Sequence, residues 1–137
     1  MKREESRQQA LIFLFENEFS PNTPEEILEM AELLRGEKVS GFSKELFLGT
    51  LENLAEIDTV IEKNLKGWKK ERLSKIVLSI LRLGTFELIY QKTPVNIVID
   101  QAVKISQKYA TQSDAVYING VLGAIGREFC ENKSEEK

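Results

Sequence analysis

Residues 76–89 read IVLSILRLGTFELI, and apolar side chains fall on nearly every side when this stretch is wound as a helix. A helix that is apolar all round lies at the centre of a fold, because it has no face suited to solvent. We predict a helix from about Lys70 to Tyr90, separated from the next by Thr93-Pro94. The rest of the chain must supply the elements that cover it.

Helical periodicity continues on both sides of this central segment, and no stretch alternates convincingly as a strand. The pattern predicts a first helix over about 3–19, a second from Pro24 to Gly36, and a third helical region over about 41–65 that Gly49 bends. Two further helices are expected to bury one face of the segments 98–109 and 118–129. The fold class is therefore all-α, with residues 1–131 as a single domain and 132–137 as a charged, frayed tail.

The composition excludes most catalytic and metal sites. The chain has no histidine and one cysteine, so neither a zinc site of Cys/His type nor a Cys/His nucleophile pair can form. The carboxylates most suited to chemistry, Asp58 and Asp100, have no histidine or metal-ligand partner in the pattern. We expect no catalytic residue, no metal and no cofactor. We expect the protein to lie in the reducing cytoplasm. The sequence shows no signal segment and no long apolar run, and its single cysteine cannot form an internal disulfide.

The charge pattern favours a binding protein. The net charge is −3, yet Lys2, Arg3 and Arg7 gather cations at the N-terminus, and Arg3 and Arg7 share one helix face. With Phe15 further along that helix, these side chains suit single-stranded RNA, because guanidinium groups contact phosphate while a ring stacks on a base. The alternative is a solvated N-terminus and a core phenylalanine. A lysine-rich run around Trp68 is either a solvated loop or an anion site.

Three other features have both a structural and a functional interpretation. Ser113 or Asp114 is expected to cap the last helix, whose N-terminus could also receive a phosphate, with Tyr117 one turn later. Arg82 lies within an apolar run and is expected to pair with a carboxylate such as Glu87 or Asp58, because a buried unpaired charge is costly. Three glycines in the last helix are expected to allow close backbone packing, near Gly84: Gly120, Gly123 and Gly126.

The chain resembles the NusB family of transcription antitermination factors over roughly residues 3–129. The resemblance depends on several motifs together, which are Arg72-Leu73, Ile80-Leu81-Arg82-Leu83, Glu87-Leu88, Pro94, Lys108-Tyr109 and Asn119-Gly120-Val121-Leu122. It implies two packed helical sub-bundles of about six to seven helices and no catalysis. It also implies binding of boxA-type RNA together with a small-subunit ribosomal protein, NusE, within an antitermination complex on RNA polymerase.

The resemblance also assigns an RNA surface, which we expect to comprise seven residues: Lys2, Arg3, Arg7, Phe15, Ser113, Asp114 and Tyr117. Phe15 stands where the family often has tyrosine, and Tyr117 where it has phenylalanine. Glu4, Glu5 and Val116 stand where the family often has basic residues.

Two alternatives stay open. One is a helical protein-interaction scaffold, and the other is a stand-alone relative of the accessory domain of ribosomal RNA cytosine-5 methyltransferases. Apolar residues left over on the first and fourth predicted helices would serve either the ribosomal partner or a homodimer of the free protein.

Overall fold

The central position of the 76–89 segment is confirmed in a computed structural model, which describes residues 1–67 and 69–135, with side chains to Phe129. These residues form seven α-helices and no strand, so the predicted all-α class is confirmed. The helices are α1 (Arg3–Phe19), α2 (Pro24–Leu33), α3 (Gly41–Glu52), α4 (Leu54–Lys63), α5 (Lys75–Ile89), α6 (Val95–Tyr109) and α7 (Gln112–Glu135). Trp68, the centre of the lysine-rich run, and the last two residues of the expected tail lie outside the described residues.

Helix α5 is the element shared by both halves of the fold. It begins where the Ser74 hydroxyl accepts the amide hydrogen of Val77 at 3.2 Å, and every residue from Val77 to Leu88 is buried. It contacts α1, α3 and α4 on one side and α6 and α7 on the other. The two sub-bundles are therefore α1–α4 and α5–α7, joined along α5.

Glycine allows two of these contacts to be close. A Cβ added at Gly49 would lie 2.4 Å from the ring of Phe86, and one at Gly84 would lie 2.9 Å from Leu122. Of the three glycines in α7, Gly126 packs in this way against Val95, whereas Gly120 faces open space. The prediction of close packing is thus correct for Gly126, although its neighbour is Val95 of α6 rather than the central helix. It is wrong for Gly120 and for Gly123, where a Cβ would meet only the Arg127 side chain, at 3.7 Å.

Several predicted boundaries differ from the structure. Helix α2 ends at Leu33 rather than at Gly36, and α7 continues into the expected tail as far as Glu135. The region 41–65 is two helices, because the chain turns at Asn53, whose side-chain amide donates to the Gly49 carbonyl at 2.9 Å. The bend follows Gly49 rather than occurring at it. The central helix begins at Lys75 instead of Lys70, since a short 3₁₀ turn occupies Lys70–Arg72.

A buried ion-pair network ties α1, α4 and α5 together. The Arg82 guanidinium donates to both carboxylate oxygens of Asp58 at 2.9 Å and to Glu18 at 3.2 Å. Burial alone would lower the pKa of Arg82, but Asp58 and Glu18 outweigh it and raise that pKa. Asp58 is thus the partner that Arg82 was expected to need, and its carboxylate is engaged in structure.

Candidate nucleic-acid interface

The start of α1 presents two exposed cations. Lys2 precedes the helix, and its backbone amide donates to the Glu5 carboxylate at 3.3 Å, which closes the helix N-terminus. The Arg3 guanidinium lies over the Phe42 ring, 3.8 Å from its centroid. This cation–π contact fixes the arginine while leaving it in solvent. Both side chains are free to approach phosphate.

Arg7 has a different environment from the one predicted. Its side chain is 7% exposed and makes a bidentate pair with Glu87 of α5, at 2.8 and 2.9 Å. The Thr93 hydroxyl donates to the same carboxylate at 3.3 Å. A guanidinium held in this way cannot turn to solvent without leaving Glu87 buried and unpaired. The structure therefore places Arg7 as the tie between α1 and α5 rather than as a phosphate ligand, a correction to the sequence interpretation.

Phe15 lies in an open apolar groove beside α1. Its ring is 36% exposed and packs edge-on against Phe19, with centroids 5.0 Å apart. The groove has a volume of about 570 Å³ and is lined by residues of α1, the start of α5 and the end of α6: Leu11, Ile12, Phe15, Phe19, Ser74, Lys75, Ile76 and Tyr109. We call this surface the aromatic groove. Its exposed rings suit the faces of nucleobases.

Two lysines accompany the aromatic groove. Lys75 lines it and makes an ion pair with Glu18 at 3.3 Å. Lys108 lies 5.4 Å from the centroid of the Tyr109 ring and donates to the Gln8 side chain of α1 at 2.9 Å. The groove therefore combines rings and cations, the two groups that bind single-stranded nucleic acid.

The turn after α6 is organised by a reciprocal cap. The Thr111 hydroxyl accepts the Asp114 amide hydrogen at 3.0 Å, and the Asp114 carboxylate accepts the Thr111 amide hydrogen at 3.1 Å. The capping residue is thus Thr111, and the prediction of Ser113 or Asp114 as the N-cap is wrong. Asp114 acts from the third helical position, and Ser113 is left exposed on the first turn.

Tyr117 lies one turn further along α7 and lines a separate groove. Its hydroxyl donates to the Leu65 carbonyl beyond α4 at 3.3 Å, and Lys66 lines the same groove. Desolvation by burial raises the pKa of the Tyr117 phenol. The ring is therefore partly fixed against the α4 end of the first sub-bundle.

The structure divides the predicted RNA residues among four places. Arg3 and Arg7 lie around Phe42, Phe15 lies in the aromatic groove, and Tyr117 lies beside Leu65. Ser113 and Asp114 lie in the first turn of α7, four and five residues after Tyr109 of the groove.

Sequence reasoning did not place Phe42, Lys108 or Tyr109 in the candidate RNA surface, and it considered Lys75 only as part of the lysine-rich run around Trp68. Tyr109 has the helical spacing of the inner face of α6, and periodicity gives the direction of a side chain but not its depth. The pair Lys108-Tyr109 beside a turn was the available signal.

Other kinds of site receive no support in the part of the chain that the structure describes. No cluster of three or more cysteine, aspartate or glutamate residues there could hold a metal ion. No helix among those residues is long and apolar enough to cross a bilayer.

A model of one protein family matches most of the chain. The model of the NusB family matches residues 4–127. The chain belongs to the NusB family. Among curated relatives, it is 40% identical over 129 residues to the transcription antitermination protein NusB of Exiguobacterium sp., a match that spans 93% of this chain and 99% of that protein.

Solved NusB structures share the fold. T. maritima NusB matches with a TM-score of 0.84 and 31% identity, over 100% of this chain and 99% of that one. A crystal structure of the antitermination factors NusB and NusE in complex with double-stranded RNA matches with a TM-score of 0.82 and 28% identity. That match spans 93% of this chain and 97% of the other. The predicted NusB resemblance and the all-helical fold are thus confirmed.

Proposed function

We propose that this chain is a non-enzymatic transcription antitermination factor that binds boxA-type RNA together with the ribosomal protein NusE, as part of an antitermination complex on RNA polymerase in the cytoplasm. The observation that carries the proposal is the shared fold with the NusB–NusE–RNA complex over nearly the whole chain. The aromatic groove adds independent chemical support, because it brings rings and cations together at one surface.

The RNA path follows from the exposed groups. Lys2 and Arg3 attract phosphates at the start of α1, and Phe15 stacks on an unpaired base in the aromatic groove with Tyr109 beside it. The turn at Ser113 and Asp114 lies next along the chain. An exposed hydroxyl and the amide hydrogens of a helix N-terminus are both phosphate donors.

Arg7 contributes by position. Its pair with Glu87 fixes the first turns of α1 on α5, so the cations before it and the ring of Phe15 after it keep a constant spacing. Binding of NusE beside this surface would raise RNA affinity further. Once the RNA contacts one of the two proteins, its contact with the other forms within the same complex, at a high effective concentration.

The direct test is RNA binding by the purified chain with and without NusE, using a single-stranded boxA-type RNA and a duplex of the same sequence. We expect tighter binding with NusE, a preference for the single strand, and affinity that falls steeply with salt as phosphate contacts release counterions. A Lys2→Gln/Arg3→Ala double variant should bind more weakly and with a shallower salt dependence. Equal binding by parent and double variant, with and without NusE, would favour the protein-interaction scaffold instead.

A further inference from the structure

A second apolar surface lies at the end of α2, on residues that the core does not use. Leu33 and Leu34 are 73% and 76% exposed, the highest values among the large apolar side chains whose burial is described. Together with Met30, Glu26 and Glu29 they line a shallow groove of about 280 Å³. We call this surface the leucine patch.

The packing of α2 does not require these leucines. The helix buries Ile27, Leu28 and Ala31 and packs mainly on α1. Leu34 has the helical spacing of the apolar stripe of α2, yet it faces solvent. Adjacent exposed leucines rimmed by polar groups are typical of an interaction site.

The charges around the patch indicate its partner. Four glutamates lie on α2, which are Glu25, Glu26, Glu29 and Glu32. Lys44 of α3 pairs with Glu32 at 3.9 Å, but the last turn of α2 has no basic residue to offset its negative end. The nearest arginine, Arg35, is already paired with Glu37 at 3.1 Å and with Glu16 at 3.6 Å. Such a field repels RNA and anionic lipid and attracts cations.

We propose that the leucine patch docks a short amphipathic segment of another protein, in which lysine or arginine side chains flank aliphatic ones. The aliphatic groups cover Leu33 and Leu34, and the cations meet Glu26 and Glu29. A second copy of this chain fits poorly, because a two-fold contact would bring the same glutamates face to face. The surface is separate from the aromatic groove, so both can be occupied at once.

The probe is a synthetic leucine-lysine amphipathic helical peptide, with two matched controls: one with glutamate in place of lysine, and one with the same residues in scrambled order. Affinity is measured by fluorescence anisotropy, and the binding site is located by chemical-shift changes in the labelled protein. We expect the shifts to centre on Leu33 and Leu34, and neither control peptide to bind comparably.

Variants of the protein then test the apolar and the charged parts of the peptide contact separately. Leu33→Ser/Leu34→Ser should weaken binding at least about tenfold, equivalent to about 1.4 kcal/mol, while Val116→Ser, at another exposed apolar position, should leave affinity unchanged. Glu26→Gln/Glu29→Gln keeps the side-chain size and should remove most of the salt dependence. Since Leu33 and Leu34 are exposed, thermal unfolding of their variant should match that of the parent protein.

Three results would overturn the proposal. One is equal affinity for the parent and the Leu33→Ser/Leu34→Ser variant, and another is shifts that map to a different surface. The third is a parent protein that sediments as a dimer and becomes a monomer in that variant, which would make a second copy the occupant.

Discussion

The aromatic groove and the leucine patch are both exposed apolar surfaces, and they differ in every other respect. The groove exposes the rings of Phe15 and Phe19 and has Lys75 and Lys108 beside it. The patch exposes aliphatic Leu33 and Leu34 among glutamates. Rings with cations bind nucleobases and phosphates, whereas aliphatic groups with carboxylates bind basic protein segments. On our proposals, the two surfaces take different ligands because their ring content and their charge differ.

Both surfaces depend on the placement of α1. The groove uses α1 as one wall, and α2, which carries the patch, packs on α1. The Arg7–Glu87 pair fixes α1 to the central helix. This pair is therefore the place where one substitution disturbs both surfaces, and four predictions follow in order of decreasing effect.

The largest effect is expected from Arg7→Ala. The substitution leaves the Glu87 carboxylate, which is 2% exposed, buried with only the Thr93 hydroxyl as a partner. We expect the free energy of unfolding to fall by about 3–5 kcal/mol, the usual cost of removing one member of a buried pair. Urea unfolding followed by circular dichroism measures this loss.

The matched control for Arg7→Ala replaces the whole pair with apolar side chains, as Arg7→Met/Glu87→Leu. Since no charge is then left buried, most of the lost stability should return. If Arg7→Ala instead kept parental stability and lost RNA affinity, Arg7 would be a phosphate ligand, as the sequence alone suggested.

The second-largest effect is expected on RNA affinity, and it distinguishes the aromatic groove from the leucine patch. Phe15→Ala removes the ring that we expect to stack on a base, a contact worth about 1–3 kcal/mol. Phe15→Tyr keeps the ring and should bind like the parent protein. Leu33→Ala, in the leucine patch, should leave RNA affinity unchanged. RNA affinity is measured by fluorescence anisotropy with labelled RNA. Equal losses of affinity for Phe15→Ala and Leu33→Ala would contradict the proposal that RNA binds the aromatic groove and not the leucine patch.

The sequence predicted more of the fold than of the candidate site. The central helix could be read from its composition, since a segment apolar on every side must be covered. The Thr23 cap of α2 could be read from the spacing of a threonine and a glutamate, and both of its hydrogen bonds are present. Such features are local, and a local pattern contains the information that determines them.

The site depends on contacts between residues far apart in the chain. Arg3 and Arg7 look equivalent in sequence, but one meets the Phe42 ring and the other meets Glu87, 80 positions away. Tyr109 and Leu34 likewise have the periodicity of core residues, yet one lines a groove and the other is exposed. Periodicity cannot show which other helix covers a given face, and that assignment decides which residues are available to a ligand.

A smaller effect is expected for single lysines near each surface. Lys108→Gln removes a cation beside the aromatic groove, and the slope of log affinity against log salt should become shallower by about 0.7 if that cation meets one phosphate of a single strand. Lys44→Gln removes a cation that pairs with Glu32 of α2, on the helix that carries the leucine patch, and should leave the slope unchanged. RNA-binding titrations at several salt concentrations compare the two variants. An equal change in slope for both would mean that RNA responds to the overall charge of the protein rather than to the cations beside the aromatic groove.

The smallest effect concerns Tyr117, whose ring is fixed where that of Phe15 is open. Tyr117→Phe keeps the ring but removes the hydrogen bond to Leu65. We therefore expect the free energy of unfolding at neutral pH to fall by about 0.5–1.5 kcal/mol, and the RNA affinity to stay at the parental value.

Because burial raises the pKa of the Tyr117 phenol, the folded state favours its protonated form. That contribution is complete below the unfolded pKa of about 10 and is lost as the pH rises through the higher folded value. Burial and Glu56 also raise the pKa of Tyr90, to about 12, but Tyr90 is present in both proteins and cancels in their difference. The parent protein should therefore lose stability more steeply than the variant above about pH 10. If their alkaline unfolding curves coincide while RNA affinity falls in the variant, the Tyr117 hydroxyl contacts RNA, and the ring belongs to the same surface as Phe15.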